Sequence, residues 1–157
     1  MRRTATLAAF VLILGGAVPA VGESTGCAVD SSEMLVQLGT TTGSIATPQT
    51  PAYLSETIKT VVLQLPEDTP EVNAPGAADL QIDLKWGEVT SDFDLTVIGP
   101  DGVEQTSLDT NALTGPVETV SVPSARQCER VEVRAMNFAG SPLEALRLEV
   151  IATGTDF

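Results

Sequence analysis

Two stretches decide the fold: Leu80-Gln81-Ile82-Asp83-Leu84-Lys85-Trp86 and Ser91-Asp92-Phe93-Asp94-Leu95-Thr96-Val97. In the first, Leu80, Ile82, Leu84 and Trp86 alternate with Gln81, Asp83 and Lys85. In the second, Phe93, Leu95 and Val97 alternate with Asp92, Asp94 and Thr96. A period of two places every apolar side chain on one face of a pleated strand and every polar one on the other. Gly99-Pro100-Asp101-Gly102 then ends the second strand with a turn: Pro supplies a fixed φ and Gly tolerates a positive one.

Outward from this pair the period persists. Ile58 to Leu65 is a β-branched strand stopped by Pro66, and Val103 to Leu108 is a return strand after the turn. Val120 and Val122 alternate up to Pro123; Val131, Val133 and Ala135 alternate with Arg130, Glu132 and Arg134. Leu146, Leu148 and Val150 close the series. Leu143 to Ile151 also has helix-favouring composition, but its period of two selects a strand. The spacing predicts an all-β, antiparallel, jelly-roll-like β-sandwich of about seven to eight strands. Its inward positions would be Ile58, Val62, Leu80, Ile82, Leu84, Trp86, Phe93, Leu95, Val97, Val120, Val122, Val131, Val133, Leu146, Leu148 and Val150.

The chain before this region reads differently. Met1-Arg2-Arg3, the apolar run Leu7–Leu14 and the small residues up to Gly22 have the form of a secretory signal peptide, residues 1–22. The run is short for a hydrocarbon core about 30 Å thick and ends in Gly, Gly and Pro, so a retained anchor is the weaker reading. Cys27 after Gly26 offers a lipoprotein site, ranked below plain secretion because Glu23 and Ser24 fit it poorly. Residues 23–52 read as an N-terminal arm and a Thr/Ser/Pro-rich linker, with Met34-Leu35-Val36 an edge strand or one helical turn; residues 53–157 form the domain. An exported chain with two cysteines most simply forms one disulfide, Cys27–Cys128.

Charge and composition narrow the function. The chain holds 8 Lys+Arg, 21 Asp+Glu and no His. Removing the segment with Arg2 and Arg3 leaves six basic residues against 21 acidic ones, a formal −15. Phosphates are repelled at that charge, so neither nucleic acid nor an anionic membrane is the expected partner, and no membrane span is expected after the signal. The absence of His removes the usual general base of Ser and Cys hydrolases and the commonest transition-metal ligand. The expectation is a monomeric, secreted or periplasmic protein that is not an enzyme.

Leu80–Trp86, Ser91–Val97 and the Pro100-Asp101-Gly102 turn together resemble bacterial pre-peptidase C-terminal domains. Val117 to Pro123, Val131 to Gly140 and Leu146 to Val150 are similar to that family's later strands, and the resemblance spans residues 58–152. Two features depart from it: Ala125-Arg126-Gln127-Cys128-Glu129 stands where the family has a Gly-Thr-Tyr-like entry, and the strands are poor in aromatics. The resemblance implies a jelly-roll-like, non-catalytic module; a role as accessory to an exported enzyme or surface structure does not carry over from it directly. It also implies calcium as a possible cofactor, since some such domains bind it.

Candidate sites follow. Asp92 and Asp94 project from the wet face at a strand start and can contribute to a Ca²⁺ site, or serve as a turn cap and a solvated carboxylate. Arg130 and Arg134 share a face and either pair with acids across the sheet or bind an anion. Trp86 belongs to the apolar side, a core residue rather than a sugar platform. The function read from all this is a secreted binding or accessory module whose partner is an extracellular protein or surface polymer. A calcium-stabilised adhesion module is the alternative, and a small secreted enzyme or enzyme inhibitor ranks last.

Overall fold

The computed structural model describes residues 26–49, 56–66, 77–107 and 116–155. The signal segment 1–22, residues 50–52 of the linker, and residues 53–55, 67–76 and 108–115 of the domain lie outside them. Nine strands run through the described residues: β1 Glu33–Val36, β2 Gly39–Ile45, β3 Glu56–Leu63, β4 Ala77–Lys85, β5 Asp92–Ile98, β6 Glu104–Ser107, β7 Val117–Arg126, β8 Arg130–Ala139 and β9 Leu146–Thr155. They form a five-stranded sheet in the order β1-β3-β8-β5-β6 and a four-stranded sheet in the order β2-β9-β4-β7. The chain is therefore all-β, a two-sheet sandwich. One pair, β1 with β3, is parallel rather than antiparallel.

The alternating strands supply the interior. Leu80, Ile82 and Leu84 of β4, Phe93, Leu95 and Val97 of β5, Val131 and Val133 of β8, and Leu148 and Val150 of β9 are all at most 1% exposed. Val120, Val122 and Leu146 are buried as well, and Trp86 packs on the cluster from its rim. The ambiguous stretch before residue 155 is strand β9, paired with β2 on one side and β4 on the other.

Three expectations are corrected. Gly39–Ile45 is not linker but β2, bonded along its length to β9. Its inward side chains are Thr41, Gly43 and Ile45, and with only Ile45 large and apolar they show no hydrophobic period. A Cβ on Gly43 would lie 3.2 Å from the Met34 sulfur of β1, so the gap is already filled. Ile58 does not face the core: it is 56% exposed, while Val61 and Leu63 point inward. Val61-Val62-Leu63 is apolar on both faces and carries no phase. Val62 is buried on the other face, beside its register partners Leu35 and Arg130. Finally, β7 continues through Pro123 to Arg126. As an edge strand it loses no ladder bond there. A register shift spans Ala78–Leu80 of β4; opposite it Ser124 takes φ 56°, and its N–H donates to Asp79 Oδ1 at 2.9 Å.

Cys27 and Cys128 form a disulfide closing a separation of 101 residues. The segment it holds is tied again by Arg130, which donates to the Ala28 carbonyl at 2.9 Å and to Glu33 Oε1 at 2.8 Å. That hydrogen bond holds the Glu33 carboxyl below its ordinary range.

Candidate functional site

The ends of β4, β5, β8 and β9 bring two loops to one pole of the sandwich. Trp86–Ser91 joins β4 to β5, and Gly140–Ala145 joins β8 to β9. One carboxylate welds them. Glu144 Oε1 accepts the N–H of Gly87 at 3.1 Å and of Glu88 at 2.7 Å, and Oε2 accepts the Ser91 hydroxyl at 2.5 Å. The Glu144 carbonyl in turn accepts the Thr47 hydroxyl. Trp86 Nε1 donates to the Ser91 carbonyl at 3.1 Å, and its ring meets Phe93 edge to face at 5.4 Å. Two backbone donors and a hydroxyl are thus satisfied by an acid 53 to 57 positions away in sequence.

Beneath the weld the packing is tight. Asn137 is 1% exposed, and its amide donates to the Gly140 carbonyl at 3.1 Å and the Pro48 carbonyl at 3.5 Å. A Cβ on Gly140 would lie 2.7 Å from Phe93 Cζ and 3.2 Å from Asn137 Oδ1. Phe93 is fully buried. Gly140→Ala should therefore cost roughly 1–3 kcal/mol, read as a lower midpoint in urea denaturation; an unchanged midpoint would show that the ring yields.

Two large apolar side chains stand outward on the welded loops: Leu143 at 93% exposed and Val89 at 81%. Glu88 beside Val89 is exposed as well. Asp92 and Asp94 begin β5 at the same pole. Both are half-buried, and Asp92 Oδ1 is buried with no hydrogen-bond partner. Desolvation raises the Asp92 carboxyl above its ordinary value; desolvation and then the Asp92 charge raise Asp94. Among the described residues no group of three or more His, Cys, Asp or Glu converges to hold a metal ion.

The remaining candidates are spread elsewhere. Arg134 Nε bonds Glu132 at 2.6 Å and lies 3.8 Å from Glu56; Arg130 bonds Glu33. On the outer face of the four-stranded sheet, Asp83 and Glu149 stand directly opposite in register. Like charges there are unfavourable, and Lys85 bridges both. Arg147 adds a contact to Glu149 at 3.8 Å.

At the far pole, Gly99–Gly102 turns with the Gly102 N–H on the Gly99 carbonyl at 3.0 Å and Gly102 at φ 77°. Asp101 Oδ1 accepts the Val103 N–H at 3.0 Å. This turn borders an open cleft of about 470 Å³ lined also by Val122, Pro123, Arg126 and Glu129. Its acids already serve the backbone, Glu129 Oε2 accepting the Arg126 N–H at 2.8 Å.

The disulfide fits an exported location. Among the described residues no helix is long and apolar enough to cross a membrane. No family model matches the chain, and no curated protein matches it. Among solved structures it is similar to Aeromonas hydrophila PliG, a periplasmic lysozyme inhibitor of g-type lysozyme, at 9% identity and a TM-score of 0.32. That similarity covers 78% of this chain and 99% of the other, and a likeness of this degree assigns neither ligand nor activity.

Proposed function

We propose that this chain is a secreted, non-catalytic β-sandwich that binds a basic extracellular partner, of the general type of the pre-peptidase C-terminal domains. One observation carries the reading: most of the cations are already paired within the fold. Of the six basic residues after the export-like segment, Lys85, Arg130, Arg134 and Arg147 are ion-paired within the fold. Against them stand 21 acids, and that strongly negative net charge steers a cationic partner inward and repels anionic ones. The immobilised chain should retain a basic protein from the extracellular fraction of its own source near 0.15 M salt and release it as salt rises. A control protein of equal negative charge that retains the same material would refute specific binding.

The calcium-stabilised module is a second reading, supported by the partnerless Asp92 Oδ1 beside Asp94. The fit is incomplete: Ca²⁺ takes roughly six to eight oxygens, and two carboxylates supply at most about four. We read the pair instead as an uncompensated charge. With folded-state pKa values raised, the carboxyls favour the fold when protonated; that contribution is lost as pH rises through the raised values. At pH 7 in EDTA, Asp94→Asn should then raise Tm by roughly 1–3 °C, with the gain shrinking toward pH 4. A lower Tm for Asp94→Asn, together with a Ca²⁺-dependent rise in the parent, would establish the calcium module instead.

A further inference from the structure

We propose that the Glu144-welded pole is the gripping end of the molecule, with Leu143 and Val89 inserting into a basic partner surface that offers an apolar recess. The inference rests on the binding reading above and locates it.

Three observations converge. First, Leu143 and Val89 are the most exposed large hydrophobic residues described, and they sit on loops joined to one another. Single exposed aliphatics are ordinary, but two on one rigid end form a contact surface. Second, the loops are organised in advance. Glu144 holds Gly87, Glu88 and Ser91, Thr47 holds Glu144, and Trp86 anchors Ser91. Ordering entropy is thus lost at folding rather than at association. Third, the charge around the apolar pair is predominantly acidic. Glu88 flanks Val89, and Asp92 and Asp94 follow on β5. Lys85 and Arg147, the cations at the ends of β4 and β9 facing this pole, are held by Asp83 and Glu149. A cation arriving at Asp92 and Asp94 would supply the countercharge that the fold lacks there. A basic surface with an apolar recess satisfies both features; an acidic or purely apolar partner satisfies only one or neither.

The test uses the disulfide-bonded chain lacking the signal segment and two fluorescent peptides of equal positive charge, one with lysines interleaved with leucines, the other with lysines interleaved with serines. The Lys/Leu peptide should bind about tenfold more tightly, since burying two aliphatic side chains easily exceeds the increment that tenfold requires. It should also shift the emission of Trp86, the one Trp in the chain, from below the loops. The double variant Val89→Ser/Leu143→Ser should abolish the preference and leave Lys/Ser binding and Tm unchanged, because both side chains are exposed. Glu144→Gln should weaken Lys/Leu binding several-fold while both apolar side chains remain. Equal binding of the two peptides, or a preference that survives in the double variant, overturns the location but not the binding reading. If neither peptide binds even at low salt, the binding reading itself fails. Concentration-dependent dimerisation of the parent that the double variant loses would overturn the location by making the pair a self-contact.

Discussion

Replacing Cys27 and Cys128 together by serine should lower the unfolding free energy by roughly 2–5 kcal/mol. The bond closes a separation of 101 residues, so its removal releases a long loop in the denatured chain. The native state suffers as well, because of what the bond pins. Residues 26–30 lead into β1, which is an edge of the five-stranded sheet, and then into β2, an edge of the four-stranded sheet. The arm is thus a clasp across both sheets. Without the disulfide it is held at its start by Arg130 on Ala28 and Glu33, an exposed contact of the kind that contributes about 1 kcal/mol or less. Cys128 sits at φ 61° with its N–H on the Leu63 carbonyl at 2.8 Å, and serine keeps that backbone bond. The measured loss therefore belongs to the cross-link rather than to the turn. Urea denaturation of the oxidised parent and the double variant checks it: the midpoint should fall clearly, and an unchanged midpoint would show that the clasp is held by packing alone.

What the sequence revealed, and what it hid, follows from how each element is buried. β4 and β5 were legible because each has one dry and one wet face, so the alternation is written directly into Leu80–Lys85 and Asp92–Val97. β3 was legible as a strand but not in phase, because Val62 is buried on the face away from the core while Val61 and Leu63 face the core. β2 was invisible for the opposite reason: Ile45 is its one large apolar inward residue, Gly43 leaves its place to Met34, and the remaining Thr/Gly/Ser composition mimics a linker. Pro123 looked like a stop because a sequence does not say which strands are edges. The disulfide was legible because two cysteines leave one pairing. The welded pole was not. Glu144 lies on a stretch of helix-like composition, far along the chain from Gly87 and Ser91, and no local pattern marks a long-range carboxylate cap. The available signal was Val89, a bare aliphatic in the polar run Gly87-Glu88-Val89-Thr90-Ser91.

Phe93→Ala should cost roughly 3–5 kcal/mol, a large part of the stability of a domain this size. The ring is fully buried and lies edge to face on Trp86 at 5.4 Å, with Gly140 close enough that even a methyl group would collide. Its register partner is Asn137, whose amide spans Gly140 and Pro48. Truncation therefore removes the common floor under both welded loops, and the cavity is bounded by groups fixed elsewhere, which limits collapse. Two readouts separate this from a generic core defect. Urea denaturation reports the loss of stability, and Trp86 emission under native conditions should move to the red as the indole loses its apolar neighbour. Val97→Ala, equally buried on the same strand but toward the far pole, should lower stability by less and leave that emission unchanged. If Phe93→Ala were destabilising with unshifted emission, the ring would be core ballast rather than the seat of the loop end. If both signals move, the hydrophobic interior and the acidic, two-pronged pole are one mechanical unit, and affinity for the Lys/Leu peptide should fall in Phe93→Ala even under conditions where the protein remains folded.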